Sequence, residues 1–161
     1  MSAVEETSAR QLVVFVLGSE EYALPIQAVQ EVIRFQQPRT VSSSDSSLLG
    51  VINLRGRIVP VHDVRPQLSI TGRSVGEVRP EDDDEDGEKI VLINSDDRMA
   101  GVVVDDVSEV LTVDIKEFED LPASGNAIVE GVVKAGDRLI ILLDPNALIG
   151  LSGGQHAEVA V

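Results

Sequence analysis

Three groups of residues have the types and spacing that chemistry could use. His62 beside Asp63 could make an acid–base pair, the run Asp82-Asp83-Asp84-Glu85-Asp86-Gly87 could open a calcium loop, and the turn Leu54-Arg55-Gly56-Arg57 sets two cations in an acidic chain. The first two fail on spacing. Neighbours on a strand point to opposite faces, so His62 and Asp63 are poorly placed to share a proton. The only other histidine, His156, lies near the far end of the chain and completes no triad or metal cluster. His62 is expected as a half-buried or edge residue. The acidic run has carboxylates at loop positions one, three and five and glycine at six, but position twelve, which needs a bidentate Glu, falls on Ile93 in an apolar strand. A solvated charge run is the expectation, and a cation- or ligand-binding module using the acidic loop 81–86 is the alternative reading. No GxSxG, phosphate-binding loop or GxGxxG is present. The chain reads as a non-enzyme without cofactors.

The arginine turn belongs to an internal repeat. "VVFVLGSEEYALPIQAVQEVI" (13–33) lies over "VLINSDDRMAGVVVDDVSEVL" (91–111) at a shift of 78, and "GVINLRGRIVPVHD" (50–63) lies over "GVVKAGDRLIILLD" (131–144) at a shift of 81. Arg57 has its counterpart in Arg138, whereas Arg55 falls on Gly136. A hairpin tip tolerates any polar residue, but a cation kept in one copy only points to a task specific to that copy. Glu31, a polar residue in an otherwise apolar stretch, is the nearest candidate to pair with Arg55.

Each copy reads as apolar strand, polar turn, alternating strand, a helical turn and a hairpin. Apolar residues at three- to four-residue spacing predict short helices at 26–32 and 104–109. Gly56 and Gly136 sit where tight turns favour positive φ. Asp144-Pro145 reads as an N-cap opening a helical piece through Leu148. Many short strands with turn signals argue for small barrels. The boundaries predicted are a disordered N-terminus (1–10), two barrel subdomains (about 11–75 and 89–150, with possible strand exchange), an acidic linker (76–88) and a flexible tail (151–161).

Asp and Glu number 28 against 13 Lys plus Arg, a formal net charge of −15, which repels nucleic acid and anionic membrane surfaces. The lysines are Lys89, Lys116 and Lys134 alone. An acidic, lysine-poor surface suits solubility in concentrated salt and suggests a halophile. No cysteine is present, which excludes disulfides and thiolate chemistry. The apolar run "LVVFVL" is far shorter than the roughly 20 residues that span a bilayer. The chain is expected to be cytoplasmic, with no direct membrane insertion.

Four blocks, "LGSEEYALPIQAVQEVI", "LLGVINLRGRIVPVHDVR", "GVVVDDVSEVL" and "GVVKAGDRLIILLD", occur in the order found in the CheW family of bacterial and archaeal chemotaxis, and over residues 11–150 the chain resembles that family. The resemblance implies a mainly β fold of two tandem five-stranded SH3-like barrels with short helices. It also implies a non-catalytic adaptor that links the cytoplasmic tips of methyl-accepting chemoreceptors to the regulatory domain of the histidine kinase CheA. Motif by motif, it carries partner contacts to Val29 and Glu31, to Gly50, Asn53, Leu54, Arg55 and Gly56, and to Val102 and Asp105. The family usually has an aliphatic residue where His62 stands.

Overall fold

A computed structural model describes residues 9–41, 47–68, 87–95, 97–120 and 128–151. The acidic loop 81–86 and the proposed tail beyond residue 151 lie outside the described residues. The strands are β1 (Ala9–Leu17), β2 (Glu20–Pro25), β3 (Val29–Arg34), β4 (Leu48–Leu54), β5 (Arg57–His62), β6 (Lys89–Ser95), β7 (Arg98–Val104), β8 (Asp106–Asp114), β9 (Phe118–Asp120), β10 (Val129–Ala135) and β11 (Arg138–Leu143), followed by helix α1 (Pro145–Gly150). Asp144 caps that helix by accepting from the Asn146 amide at 2.9 Å, with Pro145 in the first turn.

The strands form two sheets, one of six in the order β8-β1-β2-β11-β10-β9 and one of five in the order β3-β6-β7-β5-β4. Corresponding strands of the two copies occupy corresponding places in these orders, and β9 is the one addition. Each sheet takes its first hairpin from one half of the chain and its remaining strands from the other. The β1–β2 hairpin of the first half lies beside β8 and β11, and the β6–β7 hairpin of the second half lies beside β3 and β5. The two halves are therefore reciprocally exchanged, and a boundary near residue 80 does not divide the sheets.

The repeat extends to defects. The β4–β5 pairing shifts register between Leu48 and Gly50, and β10–β11 does so between Val129 and Gly131, the equivalent place. The β3–β6 pairing shifts between Val29 and Glu31; its counterpart β1–β8 shifts where Val14 and Phe15 face Glu109 and Val107. The same segments correct the helical expectation. Only Ile26–Ala28 forms a short 3-10 turn, Val29–Arg34 is strand, and 104–109 runs from β7 into β8 without a helix. Val29 and Ile33 of β3, and Val107 and Leu111 of β8, lie on the inner side of their strands, while Val32 and Val110 are exposed valines on the outer side, and it is these that complete a spacing that imitates a helix.

Each sheet has its own apolar cluster, Leu12, Val14, Val133 and Ile140 in one and Ile52, Val59, Ile90 and Val103 in the other. A larger shared cluster joins them, with Phe15 and Leu24 meeting Val91 and Val102, and Leu148 and Ile149 of α1 closing it. Burial of this apolar surface from both sheets is what fixes them against each other.

Candidate partner-binding site

The β4–β5 hairpin turns on Arg55 and Gly56, both with positive φ, at 51° and 85°. Two consecutive left-handed residues make the turn whose twist matches paired strands. Asn53 braces it by accepting from the Gly56 amide at 2.9 Å. For an L-residue such as Arg55 this backbone costs about 1 kcal/mol. The equivalent position in the other copy is Gly136, also left-handed (φ 65°) but free of that cost. Arg55 thus occupies a position where glycine would be easier.

The arginine side chain reaches across to β3, where Nη2 lies 2.6 Å from Glu31 Oε1. The Arg55 side chain is 69% exposed, so the pair adds little to stability. Val29, on the same strand as Glu31, is partly buried against the shared core, and Leu54, just before the turn, is partly buried against the core of the five-stranded sheet. The ion pair and the braced turn thus bring Glu31, Asn53, Leu54, Arg55 and Gly56 to one corner, and Val29 lies two residues before Glu31 on β3.

The other three sequence-derived contacts lie elsewhere. Val102 is 1% exposed and packed in the shared core, so its side chain is not offered to a partner. The reason is the face of β7 it occupies, which is turned into the shared cluster with Phe15 and Leu24. Gly50 is buried on β4; a Cβ there would sit 2.1 Å from the Arg39 carbonyl oxygen, so the glycine admits the segment that bonds to Val51 through two backbone hydrogen bonds. Asp105 ties the units together. Its backbone amide donates to the Val16 carbonyl at 2.9 Å, and its carboxylate accepts from the Gly18 amide at 2.6 Å.

Asp105 also faces Arg65, which sequence reasoning did not single out. Arg65 is 7% exposed. Its Nε donates to Asp63 at 3.0 Å, its Nη1 to Asp105 at 3.5 Å, and its Nη2 lies 3.8 Å from Glu88. Burial alone would lower its pKa, but the hydrogen bond to Asp63 and the charges of Asp63, Asp105 and Glu88 outweigh it and hold the guanidinium above its ordinary value. Three separate segments supply these carboxylates, and only the Asp-x-Arg spacing of residues 63 to 65 hints at the cluster. His62 is a further correction. It is fully buried on β5, a strand flanked by β7 and β4, and its Nδ1 is 2.8 Å from Ser47 Oγ. The equivalent residue in the other copy is Leu143, also buried, so the interior position is inherited and the hydroxyl of Ser47 accommodates the polar ring.

Among the described residues no cluster of three or more His, Asp or Glu side chains could hold a metal ion, and no helix is long and apolar enough to cross a membrane. The CheW-like domain family model matches residues 11–152. The chain is 30% identical to the chemotaxis protein CheW of Bacillus subtilis over 157 residues, covering 95% of each chain, and 30% identical to that of Klebsiella aerogenes over 148 residues, covering 89% of this chain and 84% of the relative. The crystal structure of the scaffolding protein TtCheW from Thermoanaerobacter tengcongensis superposes with a TM-score of 0.72 at 31% identity, covering 84% of this chain and 88% of that one.

Proposed function

This chain belongs to the CheW family of chemotaxis adaptors, and from that premise we propose that it couples the cytoplasmic tips of chemoreceptors to the regulatory domain of the histidine kinase CheA, as a non-catalytic scaffold recruited to membrane-associated arrays. The observation that carries the reading is the backbone of Arg55. The hairpin spends about 1 kcal/mol of left-handed strain to hold an exposed cation beside Glu31, and the other copy avoids that cost with glycine. Strain retained at an exposed corner is accounted for when the corner has a partner to meet.

The corner suits a helical hairpin. Val29 and Leu54 offer apolar contact, and the Arg55–Glu31 pair fixes register. Gly50 and Asp105 serve this surface from behind, by shaping β4 and by holding the crossover between units. Val102 contributes through packing alone.

The test is sedimentation of the purified chain with a CheA regulatory domain and with a receptor tip fragment, each from its own source, in molar KCl. Saturable binding to both is expected. Arg55→Glu sets a carboxylate beside Glu31 and should weaken assembly about tenfold or more while leaving the circular dichroism spectrum unchanged. Binding to neither partner, by a folded protein, would overturn the reading.

A further inference from the structure

Arginines at equivalent places in the two copies are put to different uses. Arg138 of the six-stranded sheet is held by two carboxylates, Glu21 at 2.8 Å and Glu109 at 2.7 Å. In the five-stranded sheet the counterparts of this trio are Arg57, Met99 and Glu31. Met99 carries no charge, and Glu31 is taken by Arg55 at 2.6 Å. Arg57 reaches away from both, and its Nη2 donates to the backbone carbonyl of Asp97 at 3.1 Å.

That carbonyl belongs to the tip of the β6–β7 hairpin, so Arg57 joins two neighbouring tips. Arg55 and Asp97 are the two non-glycine residues with positive φ among the described residues, at 51° and 67°, whereas in the six-stranded sheet the left-handed places at the hairpin tips fall to Gly18 and Gly136. The β6–β7 tip is in turn tied to α1. The Ser95 hydroxyl donates to Asn146 Oδ1 at 2.7 Å, and Arg98 Nη2 donates to the Ile149 carbonyl at 3.4 Å. Leu148 and Ile149 seat α1 in the shared core. A chain of contacts thus runs from the core through α1 and the β6–β7 tip to Arg57, two residues from Arg55.

We propose that Arg57 is a positioning residue for the partner contact of Arg55. Its bond to Asp97 fixes the tilt of the β4–β5 hairpin and keeps a second guanidinium off Glu31, leaving that carboxylate to Arg55. With the bond cut, the tip loses its hold on a fixed neighbour, and the turn has to be ordered when the partner binds, which lowers affinity. The inference rests on the adaptor reading, because Arg57 acts through Arg55 and not through a contact of its own.

Arg57→Met tests it in two ways. Arg57 is exposed at the start of β5, so the variant should keep its circular dichroism spectrum. In the free chain, nitrogen-15 relaxation should show the Gly56 amide and Arg55 Nε more mobile in the variant than in the unmodified protein; unchanged relaxation would overturn the proposal. In sedimentation with the receptor tip fragment in molar KCl, where a Debye length of about 3 Å removes any action of the Arg57 charge at a distance, the variant should bind about fivefold more weakly. Added to Arg55→Gly, the same change should cost nothing further, since a residue that only places Arg55 has no effect once Arg55 is gone. A further loss of similar size in the double variant would overturn the proposal by showing that Arg57 touches the partner itself. A receptor tip that binds the unmodified chain and Arg57→Met alike overturns the positioning role alone; a tip that fails to bind the unmodified chain overturns the adaptor reading, and the partner role of Arg57 with it.

Discussion

Arg65 and Arg55 stand at opposite ends of β5 and meet their carboxylates under opposite conditions. Arg65 has a side chain 9% exposed and three acidic neighbours, whereas Arg55 is 69% exposed with one. In the interior a guanidinium must be compensated, and removing it leaves several carboxylates stranded. At the surface water screens the pair, and its loss costs the fold almost nothing. Burial, more than the number of short contacts, thus separates an arginine that holds the two units together from one available to a partner. Asp105 marks the border, since it binds Gly18 and Val16 of the β1–β2 hairpin and also faces Arg65 beside the five-stranded sheet.

The strongest way to break this contrast is Arg65→Met. It keeps an unbranched apolar stem and removes the guanidinium with its charge, leaving Asp63, Glu88 and Asp105 uncompensated. The expected loss is about 3 kcal/mol, the lower end for a buried pair because Asp63 and Asp105 keep some water. Urea unfolding measures it; a change below about 1 kcal/mol would place Arg65 with the surface arginines.

The contrast sharpens with Arg55→Gly, which copies the residue of the equivalent turn. Glycine accepts the left-handed backbone without the steric cost, so unfolding free energy should stay level or rise by up to about 1 kcal/mol. Receptor-tip binding should nevertheless fall, because the register charge is gone. Urea melts and sedimentation read the two effects separately. Parallel loss of stability and binding would mean that the turn, and not the cation, carries the contact.

The repeat shows how much of this was legible in the residues. Gapless alignment of 50–63 with 131–144 anticipates equal hairpins, and β4 with β10 and β5 with β11 have equivalent bounds. A polar residue at position 31 amid apolar ones pointed to a pair with Arg55, which the structure contains. The exchange of hairpins was a possibility that periodicity could not decide, because alternation within β1 or β6 is the same whichever sheet receives it. The exposed valines Val32 and Val110 disguised β3 and β8 as helices for the same local reason. The Arg65 cluster stayed hidden because residues 63, 88 and 105 converge only once both halves are interleaved. Val102 was misplaced because "GVVVDD" matches the family motif equally well whether its valine faces a partner or the core.

The smallest effect tests the surface side of the contrast in the other unit. The hydrogen bond donated by Arg138, helped by its charge and opposed by partial burial, lowers the Glu21 pKa below its ordinary value. A carboxyl whose folded pKa is depressed adds stability that is present above the unfolded value, about 4.3, and disappears as pH falls through the folded value. Glu21→Gln should therefore cost stability near neutrality and nothing once the pH is well into the acid range. With side chains 29% and 36% exposed, the cost at neutral pH should be no more than about 1 kcal/mol. Urea unfolding of both proteins across that pH range reads the difference. A gap that widened toward acid would have the wrong sign for this pair and would mean that Glu21 acts through something other than its charge.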